Sequence, residues 1–146
     1  MKLAIGSDHA GYRLKVEIVK VLEEMNIEFE DVGCHCTDSV DYPDYALPVA
    51  EKVAAGEVDK GILICGTGIG MSISANKIKG IRCALVHDVF TAKATRAHND
   101  SNILAMGERI IGPGLAAEIV KAWLETDFEG GRHEKRVDKM MAIEEK

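Results

Sequence analysis

Short apolar runs alternate along this chain with stretches of helical period. Residues 2–6, 27–32, 61–65, 82–86 and 103–106 read as five strands. Between the first two, Leu14, Ile18, Val21, Leu22 and Met25 fall on one stripe of a helix over 12–25. Ala46, Val49, Ala50, Val53 and Ala54 make the next stripe, closed by Gly56. Further helices are predicted over 71–77, 89–97 and 115–124, the last opened by Gly112-Pro113-Gly114. The third strand shows no polar alternation, as expected of a strand covered on both faces. This β-α-β-α order implies one α/β domain over 1–146. It has three layers, with a five-stranded, mostly parallel sheet between helices. The tail over 128–146 is different. Val137, Met140 and Met141 would share one side of a helix there. That helix has no strand of its own to cover, so it is expected to dock on a partner subunit.

Composition narrows the function classes. At 47% hydrophobic and 29% charged residues, the chain is globular rather than disordered. Its net charge of −6 offers no basic field to a nucleic-acid backbone. An anionic ligand would therefore need a local cluster of arginines. No run approaches the ~18 apolar residues of a membrane helix, and the first residues turn polar at once. A cytoplasmic protein without membrane contact is expected, with Cys34, Cys36, Cys65 and Cys83 as free thiols. Cys34-His35-Cys36 lacks the second ligand pair of a zinc site and is assigned no metal.

Parallel sheets bind ligands beyond the carboxyl ends of their strands. Three segments predicted there are unusual: Ser7-Asp8-His9-Ala10-Gly11, Cys65-Gly66-Thr67-Gly68-Ile69-Gly70, and His87-Asp88. The middle one places three glycines in five residues after a buried strand, a turn whose N–H groups can converge on an anion. It is not a P-loop, for no Gly-Lys-Ser/Thr follows, and its G-x-G-x-G spacing is not the dinucleotide fingerprint. It is not a Cys-x₅-Arg phosphatase loop either, because the sixth position after Cys65 is Met71. N–H groups at a helix start favour a thiolate, which is the form a general base needs, and they can hold an oxyanion. A buried, inert cysteine at a strand end fits the position equally well. Arg132 and Arg136 are four apart and suit either a phosphate clamp or a solvated basic turn. His98 ends a helix, where caps and surface histidines are common. Asp8 suits an N-cap. The weight of these residues lies in their convergence on one edge.

In Gly6-Ser7-Asp8-His9-Ala10-Gly11, Asp41-Tyr42-Pro43-Asp44-Tyr45-Ala46 and the Cys65 loop with Ala75-Asn76-Lys77, the sequence resembles the ribose-5-phosphate isomerase type B family. This family includes galactose-6-phosphate and allose-6-phosphate isomerases. His98-Asn99-Asp100-Ser101-Asn102 and Gly130-Gly131-Arg132-His133 with Arg136 extend the resemblance over nearly the whole chain. It implies a Rossmann-like fold, and a homodimer or dimer of dimers with active sites shared between subunits. It also implies interconversion of D-ribose 5-phosphate and D-ribulose 5-phosphate in the non-oxidative pentose phosphate pathway, with neither cofactor nor metal. Cys65 would move the proton between carbons 1 and 2. Gly66, Thr67, Gly68, Ile69 and Gly70 would hold the enediolate, and Thr67 and Asp8 would handle hydroxyl protons. His98, from the neighbouring subunit, would open the sugar ring, and Asn99 would bind a substrate oxygen. His9, Arg109, Arg132 and Arg136 would surround the phosphate from both chains. One branch of the family has a glutamate base just after the loop; Met71 stands there, so the task falls to Cys65. A six-carbon sugar phosphate is the alternative substrate. A phosphate- or nucleotide-binding module without catalysis is the alternative function.

Overall fold

A computed structural model describes residues 1–146. Five strands form the sheet: β1 (Lys2–Ser7), β2 (Glu28–Asp31), β3 (Lys60–Cys65), β4 (Cys83–Leu85) and β5 (Ile103–Gly107). Their order is β2-β1-β3-β5-β4, and every pairing is parallel. The helices are α1 (Tyr12–Glu24), α2 (Pro43–Ala54), α3 (Ile69–Ala75), α4 (Val89–Asn99), α5 (Pro113–Glu125) and α6 (Arg132–Ala142). None is long and apolar enough to cross a membrane.

The chain leaves β1 in one direction to β2, then returns past β1 to β3. Parallel crossovers are right-handed, so this reversal sends successive helices to opposite faces. Leu3, Ile5, Ile62, Ile64, Leu104 and Met106 meet α1 and α5 on one face, around the fully buried Trp123. Ala4, Leu63, Cys65, Ile103 and Ala105 point to the other face, against Val49 of α2 and Met71 of α3. Strand alternation therefore turns Cys65 toward α3. The reversal also opens a crevice between the carboxyl ends of β1 and β3, where ligands bind in such sheets.

Two boundaries differ from the periodicity. α3 begins at Ile69, because Gly68 takes φ +77° and leads the turn straight into the helix. α2 begins at Pro43, whose fixed φ suits a first helical position. Within its own chain the tail packs α6 against α4, with His133 and Val137 buried, and leaves Arg132, Arg136 and Met140 facing outward, free to meet a partner subunit. The edge strand β4 is blunted by Asn76. Its side chain accepts the Cys83 N–H at 2.8 Å and donates to the Cys83 carbonyl at 3.0 Å, in place of another strand.

Candidate active site

The β1 end turns at once into a short 3₁₀ turn, His9–Gly11. Asp8 is buried and caps it, accepting the Gly11 N–H at 3.1 Å. A Cβ on Gly11 would collide with the Ile64 carbonyl, so only glycine lets this turn lie against β3. His9 accepts the Val40 N–H on Nδ1 at 3.1 Å, which leaves the proton of the neutral ring on Nε2. The loop carrying Val40 is anchored by Lys15. This lysine is 1% exposed, and its Nζ donates to Asp31 at 2.7 Å and to the Cys34 carbonyl at 2.5 Å.

At the β3 end, Cys65 is buried, and the Gly68 N–H donates to its Sγ at 3.1 Å. Gly68 has no substitute. A Cβ there would lie 2.8 Å from the Met106 carbonyl carbon, on a backbone that L residues disfavour. The Ile69 N–H reaches Thr67 Oγ1 at 3.3 Å. The β5 end braces this loop from below: the Glu108 N–H donates to the Cys65 carbonyl at 2.9 Å, and the Arg109 N–H to the Gly66 carbonyl at 3.0 Å. Glu108 also accepts the Leu14 N–H at 2.7 Å, tying the brace to the start of α1.

These turns enclose a cleft of about 450 Å³. Asp8, His9, Cys65, Gly66, Thr67, Ile69, Gly70 and Arg109 all line it, and Gly68 lies beneath with its N–H on the sulfur. Tyr42 and Ile73 complete the wall. Sequence reasoning gave Tyr42 no role, although it belongs to a quoted motif. Its ring sits so close to Gly70 that a Cβ there would lie 2.5 Å away.

His98, Asn99, Arg132 and Arg136 do not join this cleft. The expected convergence on one edge fails within a protomer, and the reason is topological. Helices run antiparallel to the strands they follow, so the end of α4 returns to the opposite edge. Asn102, just beyond, accepts the Gly61 N–H at the start of β3. The six residues of β3 put about 16 Å between that edge and Cys65. There His98 stacks on His133, ring centroids 4.2 Å apart and 11° from parallel. Glu129 Oε1 lies 3.8 Å from His98 Nε2 and 3.5 Å from His133 Nε2. Burial and the neighbouring His98 and Arg132 lower the His133 pKa. Three donor atoms fall within 4.8 Å, but stacked rings aim their lone pairs side by side, and Arg132 and Arg136 add positive charge. The cluster suits an anion better than a cation. Sequence reasoning missed the role of His133. It belongs to a quoted motif, and its i, i+4 spacing from Glu129 is a local signal.

The remaining thiols lie outside the cleft lining. Burial pushes the Cys83 thiol up to about 12, so it stays protonated and inert. Cys34 is buried and Cys36 exposed, both free.

Comparison with known proteins shows the family and the fold. The family model described as Ribose/Galactose Isomerase matches residues 3–140. Ribose-5-phosphate isomerase B of Escherichia coli is 51% identical over 99% of this chain and 97% of its own length. The solved structure of ribose-5-phosphate isomerase B from Clostridium thermocellum is 54% identical. It superposes with a TM-score of 0.98, covering 99% of this chain and 98% of the other. The Mycoplasma genitalium enzyme, solved with bound ribulose-5-phosphate, is 39% identical with a TM-score of 0.95, covering 99% and 97%. The chain belongs to the ribose/galactose isomerase family.

Proposed function

We propose that this isomerase interconverts D-ribose 5-phosphate and D-ribulose 5-phosphate, with Cys65 as the carbon-acid base. The observation that carries the reading is the Gly68 N–H on Cys65 Sγ, inside a cleft flanked by His9 and Arg109. The relatives named above favour the five-carbon sugar over a six-carbon one, and catalysis over mere binding.

His98 opens the furanose ring, moving a proton from the anomeric hydroxyl to the ring oxygen. The Cys65 thiolate then removes the proton from C2, and the electron pair moves to O1. Loop N–H groups hold the resulting enediolate. Thr67 and Asp8 shift the hydroxyl proton from O2 to O1. The Cys65 thiol returns its proton to C1, leaving a carbonyl at C2. His9 and Arg109 hold the phosphate.

His98, Asn99, Arg132 and Arg136 act from a second copy of the chain. The cluster at the far edge is an incomplete half-site that suits an anion, and the cleft lacks what it supplies. Apolar side chains are also left uncovered around α3, β4 and the start of α4. Phe90 is 80% exposed, and Ile69, Ile73 and Leu85 are exposed as well. A second copy would cover such a surface.

Complementation tests both claims. Cys65→Ala and His98→Ala should each abolish ribulose 5-phosphate formation. Mixed and reassociated, they should recover about a quarter of wild-type activity, because half the dimers are mixed and each restores one of two sites. No recovery, with mixed dimers demonstrated by mass, would refute the shared site. An active Cys65→Ala enzyme would refute the base.

A further inference from the structure

His87 follows β4, stands outside the cleft lining and has no part in the steps above. Its Nε2 accepts the Gly107 N–H at 3.0 Å. Gly107 closes β5 and lies flat against the catalytic loop. A Cβ there would sit 2.6 Å from the Thr67 carbonyl carbon and 2.8 Å from the Gly66 oxygen. The next two residues bond the same loop, through the Cys65 and Gly66 carbonyls. The turn over 107–109 is thus held by the catalytic loop on one side and by His87 on the other.

We propose that His87 is a positioning residue for the isomerase: through Gly107 it keeps Thr67 and the loop N–H groups in register with Cys65. Only a neutral ring with its proton on Nδ1 can accept from Gly107. Burial lowers the His87 pKa, against the opposing pull of Asp88, and so keeps the ring in that form. Losing the acceptor strands the Gly107 N–H and frees the turn to shift. Misplacement of reacting groups by one ångström costs on the order of 100-fold in rate. Thr67 and the loop N–H groups act on the enediolate rather than on the ground state, and His9 with the arginines of the second copy hold the phosphate from outside this turn, so the loss should fall on kcat more than on KM.

The functional arm of this proposal rests on the isomerase reading, and the test has an arm that does not. Nitrogen chemical shifts of the His87 ring should show a neutral imidazole protonated on Nδ1 at pH 7.5. A ring protonated on Nε2, or on both nitrogens, overturns the proposal whatever the enzyme converts. With ribose 5-phosphate, His87→Ala should lower kcat about 10- to 100-fold with KM within about threefold. His87→Gln places an amide oxygen near the position of Nε2 and should restore kcat to within about fivefold of wild type. A His87→Ala kcat within threefold of wild type overturns the proposal. So does a glutamine variant as impaired as the alanine one, provided both are folded by circular dichroism. A wild-type enzyme inert toward ribose 5-phosphate would instead fail the proposed function and leave the ring assignment standing.

Discussion

Gly68→Ala separates the contribution of the loop from that of the fold. Gly68 has φ +77°, where an L residue pays roughly 1–2 kcal/mol. The new Cβ would also stand 2.8 Å from the Met106 carbonyl carbon and 3.0 Å from its oxygen, against an ordinary contact of 3.4 Å. The flexible Leu85 side chain, at 2.6 Å, can turn away. The β5 backbone cannot, so the loop must retreat by about 0.6 Å, and overpacking of this kind costs about 1–3 kcal/mol. The expected loss of stability is thus about 2–5 kcal/mol, read from guanidinium denaturation. The retreat also breaks the Gly68 N–H contact with Cys65 Sγ, which is 3.1 Å in the wild type. Loss of one preorganised donor lowers kcat about 10²–10³-fold. Gly56→Ala is the control. Its φ is +75°, nearly the same, but nothing lies within 4 Å and the site is remote. It should cost only the backbone share, about 1–2 kcal/mol, with kcat unchanged. A Gly68→Ala enzyme with kcat within fivefold of wild type would refute the role of the loop. Equal loss of kcat in both variants would show that backbone strain alone acts.

Other outcomes follow from the same geometry. Cys83→Ala should keep isomerase activity within about twofold, since a protonated thiol remote from the cleft does no chemistry; a loss like that of Cys65→Ala would contradict the contrast drawn between the two. Lys15→Met should destabilise the fold by about 3 kcal/mol in denaturant, because it leaves Asp31 and the Cys34 carbonyl without their cation. It should also raise KM for the sugar phosphate through the loop that holds His9, and an unchanged KM would argue against that link. Stability should fall as pH drops from 7.5 to 5.5. His87 and His133 both have pKa values lowered from 6.5, so the unfolded chain takes up protons first as pH passes that value. The denaturation midpoint should fall less over this range in His87→Gln, and an identical fall would remove His87 from the linkage.

What could be read from the sequence and what could not divides by range. Apolar periodicity located all five strands and the main helices, because the contrast between a period of 2 and one of 3.6 is written into neighbouring residues. The glycine loop was legible for the same reason: close approach and positive φ at Gly68 are demands that only glycine meets. A resemblance in ordered motifs carried the residue roles. Strand order was not legible, since β3 lies beside β1 and β5 through contacts between residues far apart in the chain. It is that order which brings Asp8 and His9 to Cys65, while the return of α4 antiparallel to its strand carries His98 to the opposite edge. Tyr42 against Gly70, His133 against His98, and His87 on Gly107 likewise join segments with no local signal. Sequence determined which groups are available for chemistry. The tertiary structure decided which of them share a cleft, because proximity in a parallel sheet is set by the direction of each crossover and not by distance along the chain.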